Sequence, residues 1–535
     1  MNKQKASFFR KNAVNLLLFC LIILLLSSCF SGWKSDEGTI TINLGGDGRA
    51  VWPPDNAMLS QMEHKITLTG NGETKIFETK GGSSSLKAVV SVGRWHVQVD
   101  AYYPKNKLYA SSFDFNYTDV KAGQNNTVSI QMTQVHKVFN VPNITEWEKA
   151  IEDIKGKETT DIENYVINIT GSFDLTGSTE NTFGNVNNIN IYIRGNHKIS
   201  LTSPGSIIRI AARQTVTLQD VNLVGLTKGI DGATMNNIAP LVYMEGYYAS
   251  FTMNGGTISG NTSNGDGLHD AYGGGVNVSR GEFTMNGGTI SGNKAIGDTY
   301  AGPSGYGGGV YMNAGTFTIN GGTISGNTAI GNSYGFGGGV CVGNSDFTMN
   351  GGTISGNVTI ATRNSNYGGG VYLWNSTFTM NGGIISGNSS SCGGGLYIIQ
   401  GNYTGDFSSF IMNGGTISGN STSDGGGLFV LKGTFTMNGG TISGNTAKNS
   451  GGGVILTTEA KFRIANGIVY GNEVSSTLRN ISSSSGGSAL WIQADSKAEH
   501  GTFAVPKDPE SEWTSNGVLT SSDKTIKVVN GKLQK

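Results

Sequence analysis

The phrase "FTMNGGTISGN" occupies residues 251–261 and recurs at 283–293. It returns as "FTINGGTISGN" at 317–327, intact at 347–357, as "FTMNGGIISGN" at 378–388, as "FIMNGGTISGN" at 410–420 and intact again at 435–445. The repeat phenylalanines Phe251, Phe283, Phe317, Phe347, Phe378, Phe410, Phe435 and Phe462 are 32, 34, 30, 31, 32, 25 and 27 residues apart. A globular core does not absorb such uneven spacing inside one phrase. A solenoid does, because extra residues leave as loops between strands while the strands stay stacked. Each turn offers three short strand candidates: "FTMN", "TIS", and the segment after Gly-Gly-Gly, as in "GGGVYM" at 307–312.

Alternation along a strand sends successive side chains to opposite faces. Phe283, Met285, Ile290, Val310 and Met312 therefore point inward, and Thr284, Thr289, Ser291 and Tyr311 outward. Stacked rung upon rung at ~4.8 Å, the inward set forms a continuous Phe-Met-Ile-Val core. The phrase's last residue makes another column: Asn261, Asn293, Asn327, Asn357, Asn388, Asn420, Asn445 and Asn472. Asparagine suits turns, and stacked amides can bond along the axis. This reads as a structural ladder. Metal coordination is weaker, because no carboxylate accompanies these residues at fixed spacing.

Upstream, the chain changes character. Residues 38–133 alternate with period two in "TITINL" (39–44), "HKITLTG" (64–70), "WHVQVDAYY" (95–103) and "TVSIQM" (127–132). Turn residues separate these stretches, which predicts a small antiparallel β-sandwich. It resembles the transthyretin-like and immunoglobulin-like modules of surface proteins and reads as a stalk. Residues 134–250 hold one amphipathic helix, "ITEWEKAIEDI" at 144–154, with Trp147, Ile151 and Ile154 on one face and Thr145 placed to cap it. Short strands follow at 165–170, 189–195, 206–210 and 215–225, then the repeats at 251–472 and final rungs with a cap at 473–535. A cap helix followed by β-rungs resembles the entrance of right-handed parallel β-helices of the pectate-lyase-like fold. The expected class is all-β: a right-handed parallel β-helix with a short N-terminal cap helix, preceded by a small β-sandwich. A solenoid needs such a cap, since its first rung otherwise exposes an unpaired edge and an open core.

Residues 1–28 have a basic start, an apolar run from Ala13 to Leu26 and small residues before Cys29. This is a secretory signal layout. Leu26-Ser27-Ser28-Cys29 resembles the lipobox of bacterial lipoproteins, which implies cleavage before Cys29, its lipidation, a tether over 29–37 and anchoring at the outer membrane or cell surface. An ordinary cleaved signal or an uncleaved anchor is the alternative. "ISGN" at 324–327 with Gly338-Gly339-Val340 resembles the repeats of bacterial polymorphic outer-membrane proteins, with Ile where those carry Phe. That likeness covers roughly 239–492 and implies a β-helix and surface adhesion. Those proteins end in a translocating barrel; here only 473–535 follows the last repeat, and a lipid anchor would take the barrel's place.

The formal net charge is zero, which argues against electrostatic binding of nucleic acid. Four cysteines, of which Cys20 leaves with the signal and Cys29 is the anchor, are too few for a disulfide framework. Residues 251–458 contain only twelve charged side chains, scattered over loops, whereas β-helix lyases and hydrolases need grouped carboxylates. Asp266 and Asp270, with His269 in "NGDGLHDAY" at 264–272, form the densest group: a weak candidate for a cation or sugar, or a solvated loop. No cofactor motif is present.

Two outward ladders remain. Thr-x-Ser pairs recur from Thr257/Ser259 to Thr441/Ser443, like the flat hydroxyl rows of ice-binding solenoids, or as ordinary β-formers. After Gly-Gly-Gly stand Asn277, Tyr311, Cys341, Tyr372, Tyr397, Phe429 and Ile455; just before it stand Tyr272, Tyr306, Phe336 and Tyr367. Such aromatic rows either stack a ligand or support one another. The loops at 262–272, 294–306, 328–336 and 358–367 would wall a shallow trough beside them. The functional expectation is a binding or adhesion scaffold for a glycan or host-matrix ligand, with a polysaccharide lyase or glycoside hydrolase as the alternative. Oligomeric state cannot be read from the sequence.

Overall fold

The computed structural model describes residues 36–44, 56–113, 116–157, 159–226, 237–265, 269–297, 302–400, 408–457, 460–472, 478–482, 487–492, 497–500, 522, 525–529 and 532–534. The expected signal peptide, Cys29 and most of the tether lie outside these residues, as does Asp266. The chain divides into two units, up to His136 and from Lys137.

In the first unit, the period-two stretches are strands of two sheets. One holds Ser85–Ser91, Glu37–Asn43 and Asn125–Ser129; the other centres on Glu63–Gly70 and Gly93–Tyr102. Alternation works as expected: Trp95, Val97, Val99 and Ala101 are wholly buried and the residues between them are not. One pairing departs from the antiparallel expectation, since Glu37–Asn43 runs parallel to Asn125–Ser129. These strands come from opposite ends of the unit, so no hairpin constrains their direction.

The second unit is a right-handed parallel β-helix. Helix α1 (Ile144–Lys155) buries Trp147, Ala150, Ile151 and Ile154, and the Trp147 ring lies 6.0 Å from Phe173 at the first rung. Its N-cap is Asn143 rather than Thr145: the Asn143 side chain accepts a hydrogen bond from the Glu146 N–H at 3.1 Å. Asn143 is the last extended residue before the helix, so its carbonyl-bearing side chain reaches an otherwise unpaired first-turn N–H.

Three parallel sheets form the walls. The first, of thirteen strands, runs from Lys137–Val141 through the "FTMN" strands to Lys497–His500. The second carries the "TIS" strands and ends in an antiparallel hairpin, Ile526–Val529 with Lys532–Gln534, laid on Gly467–Val469. The hairpin pairs the last parallel strand of that sheet, a standard way to occupy an open edge. The third, of ten strands, runs from Ile208–Ile210 to Leu490–Ile492 and holds the segments after Gly-Gly-Gly.

The registers are those of the repeat. Phe283 pairs with Phe317, Thr289 with Thr323, and Tyr311 with Cys341. Phe283, Met285, Ile290, Val310 and Met312 are all buried in a core continuous from Val141 to Val528. The Phe rings stack along the axis; Phe317 lies 4.7 Å from Phe283 and 4.9 Å from Phe347. The glycine triplet is dictated by contact: a Cβ on Gly308 would stand 2.4 Å from the Gly338 carbonyl oxygen, and Gly307 turns at φ +63°.

The asparagine ladder is present and buried, from Asn237 through Asn445. Its last step differs from expectation. Asn480, not Asn472, accepts from Asn445 at 3.0 Å, and Asn472 is exposed. Asn480 also donates to the carbonyls of Tyr470 at 2.7 Å and Ile442 at 3.0 Å, so it closes the turn that Asn472 was expected to close. A second amide ladder went unread in the sequence: the asparagine closing each "FTMN" donates to its predecessor, as Asn320 does to Asn286 at 2.7 Å.

Candidate functional site

The four long loops of the repeats contain strands of their own among the described residues. Thr262–Asn264, Lys294–Ile296, Thr328–Gly331 and Val358–Ala361 leave the solenoid as one parallel sheet. Ala271–Tyr272, Gly305–Tyr306 and Gly335–Phe336 return as another, which isolated bridges extend to Tyr367, Cys392 and Asp424. Near-identical neighbours offer each loop's backbone a ladder partner, so the loops order as a thin two-layered fin. Its interior is small: Ala295 and Ala329 are fully buried, and Gly305 faces them.

This geometry decides where the aromatic rows go. The returning strands bring Tyr272, Tyr306, Phe336 and Tyr367 into a row, stacked at 5.1, 4.8 and 5.7 Å. The outward column of the third sheet stands beside it, and rings of one row pack onto the next rung of the other. Tyr272 meets Tyr311 at 4.8 Å, Phe336 meets Tyr372 at 4.8 Å, and Tyr367 meets Tyr397 at 4.7 Å. Together with Cys341 they form a separate small core. Tyr372 is 9 % exposed and Tyr397 4 %, whereas Tyr272 at the end of the row is 38 % exposed. Of the two arrangements open to such rows, mutual support describes the inner members, which cover one another because the fin folds the two columns together. Tyr272, Tyr306, Tyr311, Phe336 and Tyr367 keep an accessible edge.

Burial raises the pKa values of these phenols. Tyr272 is pushed up to about 12 by burial and then by the Asp270 charge, and Tyr306, Tyr311, Tyr372 and Tyr397 are raised as well, chiefly by burial. At neutral pH they are hydrogen-bonding phenols and not bases. The Cys341 thiol is raised by complete burial, and Cys392 to about 11 by burial and Asp424. Neither has the lowered pKa of a reactive thiolate.

Asp270 is committed to the fin. Its carboxylate accepts from the Ser304 N–H at 2.7 Å and from the Tyr272 hydroxyl at 3.0 Å, which ties two neighbouring return strands together. Among the described residues no group of three or more His, Cys, Asp or Glu side chains is placed to hold a metal. The Thr-x-Ser rows lie in register on the second sheet, interrupted by Ile384, which is 44 % exposed.

The outward column of the third sheet also runs further than the repeats suggested. Below Asn277 it continues through Tyr243 to Arg209, and above Ile455 to Trp491. Arg209 opens onto a cleft at the first rungs that no motif announced. The clue available in the sequence was that "SIIRI" at 206–210 and "LVYM" at 241–244 align as rungs with "GVNV" at 275–278. Compared with known proteins, the chain matches no family model, no curated protein and no solved structure.

Proposed function

We propose that this chain is a bacterial surface lipoprotein, held to the membrane through lipidated Cys29, whose β-helix serves as a binding and adhesion scaffold for a glycan or extracellular-matrix ligand. The observation that supports this reading is the fin: four long loops held in register on a rigid stack, with a tyrosine row along their base. Loops positioned by a rigid scaffold are where recognition tends to reside. The solenoid supplies reach and stiffness, and the first unit acts as a spacer.

The test has two arms. Cells expressing the full chain should incorporate a fatty-acid analogue into it and retain it in the membrane fraction, and Cys29→Ala should abolish both. Cells displaying the chain should adhere to arrayed glycans or matrix proteins above the level of cells lacking it. Labelling that persists in Cys29→Ala sinks the anchor, and adherence equal to the control sinks the adhesion reading. Release of reducing or unsaturated ends from polysaccharides by the purified chain would replace adhesion with catalysis.

A further inference from the structure

The cleft at the first rungs has a volume of about 470 Å³ and is lined by Lys155, Glu180, Asn181, Asn185, Arg209 and Glu245, among others. Its walls are fixed. The segment carrying Glu180 to Asn185 is anchored by the fully buried Phe183. The buried Gln214 amide donates to the carbonyls of Gly184 at 3.1 Å and Val186 at 2.9 Å. Thr182 takes the place of a strand partner: its N–H donates to the Arg209 carbonyl, and its hydroxyl accepts from the Arg209 N–H at 2.8 Å. Lys155 comes from the last turn of α1.

Arg209 is held in one pose. Its guanidinium lies 4.1 Å above the Tyr243 ring and its Nη2 3.6 Å from Glu245 Oε2. Its Nε–H is buried and has no acceptor in the protein. A buried donor left without a partner is costly, and native structures leave few.

We infer that this cleft binds an uncharged oligosaccharide. The argument is one of complementarity. The lining holds two cations, Lys155 and Arg209, two carboxylates, Glu180 and Glu245, and the amides of Asn181 and Asn185, of which Asn181 donates to Asn185 at 2.8 Å. A polyanion meets the carboxylates and a polycation meets Lys155 and Arg209. Sugar hydroxyls both donate and accept, so they satisfy carboxylate, amide and guanidinium together, and bonds to the charged groups are the stronger ones. This deepens the binding reading by naming a ligand class, and it does not depend on the lipid anchor.

The test uses the purified full chain, titrated calorimetrically with short neutral oligomers of glucose, mannose and galactose and with the matching uronic-acid oligomers. At least one neutral series should bind, and its uronate counterpart should bind about tenfold more weakly or worse. Glu180→Gln and Arg209→Lys (which keeps the charge and removes the planar guanidinium) should each weaken the neutral ligand about tenfold. Glu180 is exposed, so Glu180→Gln should do so without lowering the melting temperature, which separates a lost contact from a lost fold. Preference for the uronate, or neutral affinity unchanged in both variants, overturns the assignment. If no saccharide binds while displaying cells still adhere, this site falls and the adhesion reading stands; if neither occurs, both fall.

Discussion

The backbone N–H and the side-chain amide of Asn327 both donate to one oxygen, Oδ1 of Asn357, at 2.9 and 3.0 Å. The second amide hydrogen of Asn327 goes to the Ile290 carbonyl at 2.9 Å, and both asparagines are completely buried. Every rung of the ladder thus closes its turn by borrowing an acceptor from the rung above. Asn357→Ala should orphan two buried donors on Asn327 and cost roughly 2–5 kcal/mol. Asn357→Asp should cost more at neutral pH, because a carboxylate cannot donate to Asn388 Oδ1 or the Ile324 carbonyl as the amide does. Urea denaturation of the two variants checks this; a loss under about 1 kcal/mol for both would reduce the ladder to ornament.

Phe317 is fully buried between two stacked rings, and Thr318 beside it faces outward and is half-buried. Phe317→Ala should cost about 3–5 kcal/mol, as for other buried phenylalanines. Thr318→Ala should cost under about 1 kcal/mol. Similar denaturation midpoints for the two variants would contradict the face assignment.

These columns were legible because two signals agree on them. Exact repetition set the rungs, and period-two alternation set the faces, so Phe, Met and Ile could be placed inward without a structure. The fin was not legible for the opposite reason. Thr262–Asn264 and Gly305–Tyr306 are too short to alternate, and their ladder partners belong to neighbouring rungs. Burial of Tyr372 follows from that unseen fold, since the column was read correctly and only its cover was missing. Arg209 escaped because it precedes the repeats, and its membership of the column appears only when it is paired with Tyr243.

Tyr372 and Tyr272 should separate structure from display. Tyr372 contacts Phe336 and Tyr397 inside the small core, so Tyr372→Ala should cost about 2–4 kcal/mol. Tyr272 is the exposed end of its row, and Tyr272→Ala should cost about 1 kcal/mol or less. Adherence lost in Tyr272→Ala at unchanged stability would assign the accessible edge to the ligand. A stable Tyr372→Ala would mean the aromatic core carries no load.

Acid should weaken the first unit. His64 is buried, with Nδ1 3.3 Å from Thr79 Oγ1 and Nε2 without a hydrogen-bond partner. Burial lowers its pKa from 6.5 to about 4, and that of His96 likewise to about 4. Both rings are therefore neutral in the folded unit, while the unfolded chain takes up protons near 6.5. Stability is complete above that value and falls as pH drops toward about 4, by up to roughly 3 kcal/mol for His64. His64→Leu should flatten the slope between pH ~6.5 and ~4 in urea titrations followed through Trp95. A slope identical to the wild type would show that His64 is already protonated in the native state.

Gly305 sets the thickness of the fin. It opens the return strand Gly305–Tyr306 and lies between two outgoing strands, so a Cβ there would stand 2.4 Å from the Ala295 carbonyl oxygen and 2.3 Å from that of Ile330. Both are backbone atoms, held by ladders that pair Ala295 with Ala329 and Ile296 with Ile330. No side-chain rotation can make room, and Gly305→Ala must push the two layers apart. The solenoid core does not pass through this point, so the damage should stay local. Amide exchange should accelerate across 294–297, 302–306 and 328–336 while the Phe and Ile columns keep their protection, because regions with few buried contacts open independently of the global unfolding. Tyr306 follows Gly305 directly and stacks on both Tyr272 and Phe336, so the tyrosine row should loosen with the fin. Adherence should then fall in Gly305→Ala while oligosaccharide binding at the Arg209 cleft is kept. Loss of both together would mean that fin and cleft act as one surface, and unchanged exchange across 294–297, 302–306 and 328–336 would mean that the layers are not packed as closely as Ala295 and Gly305 imply.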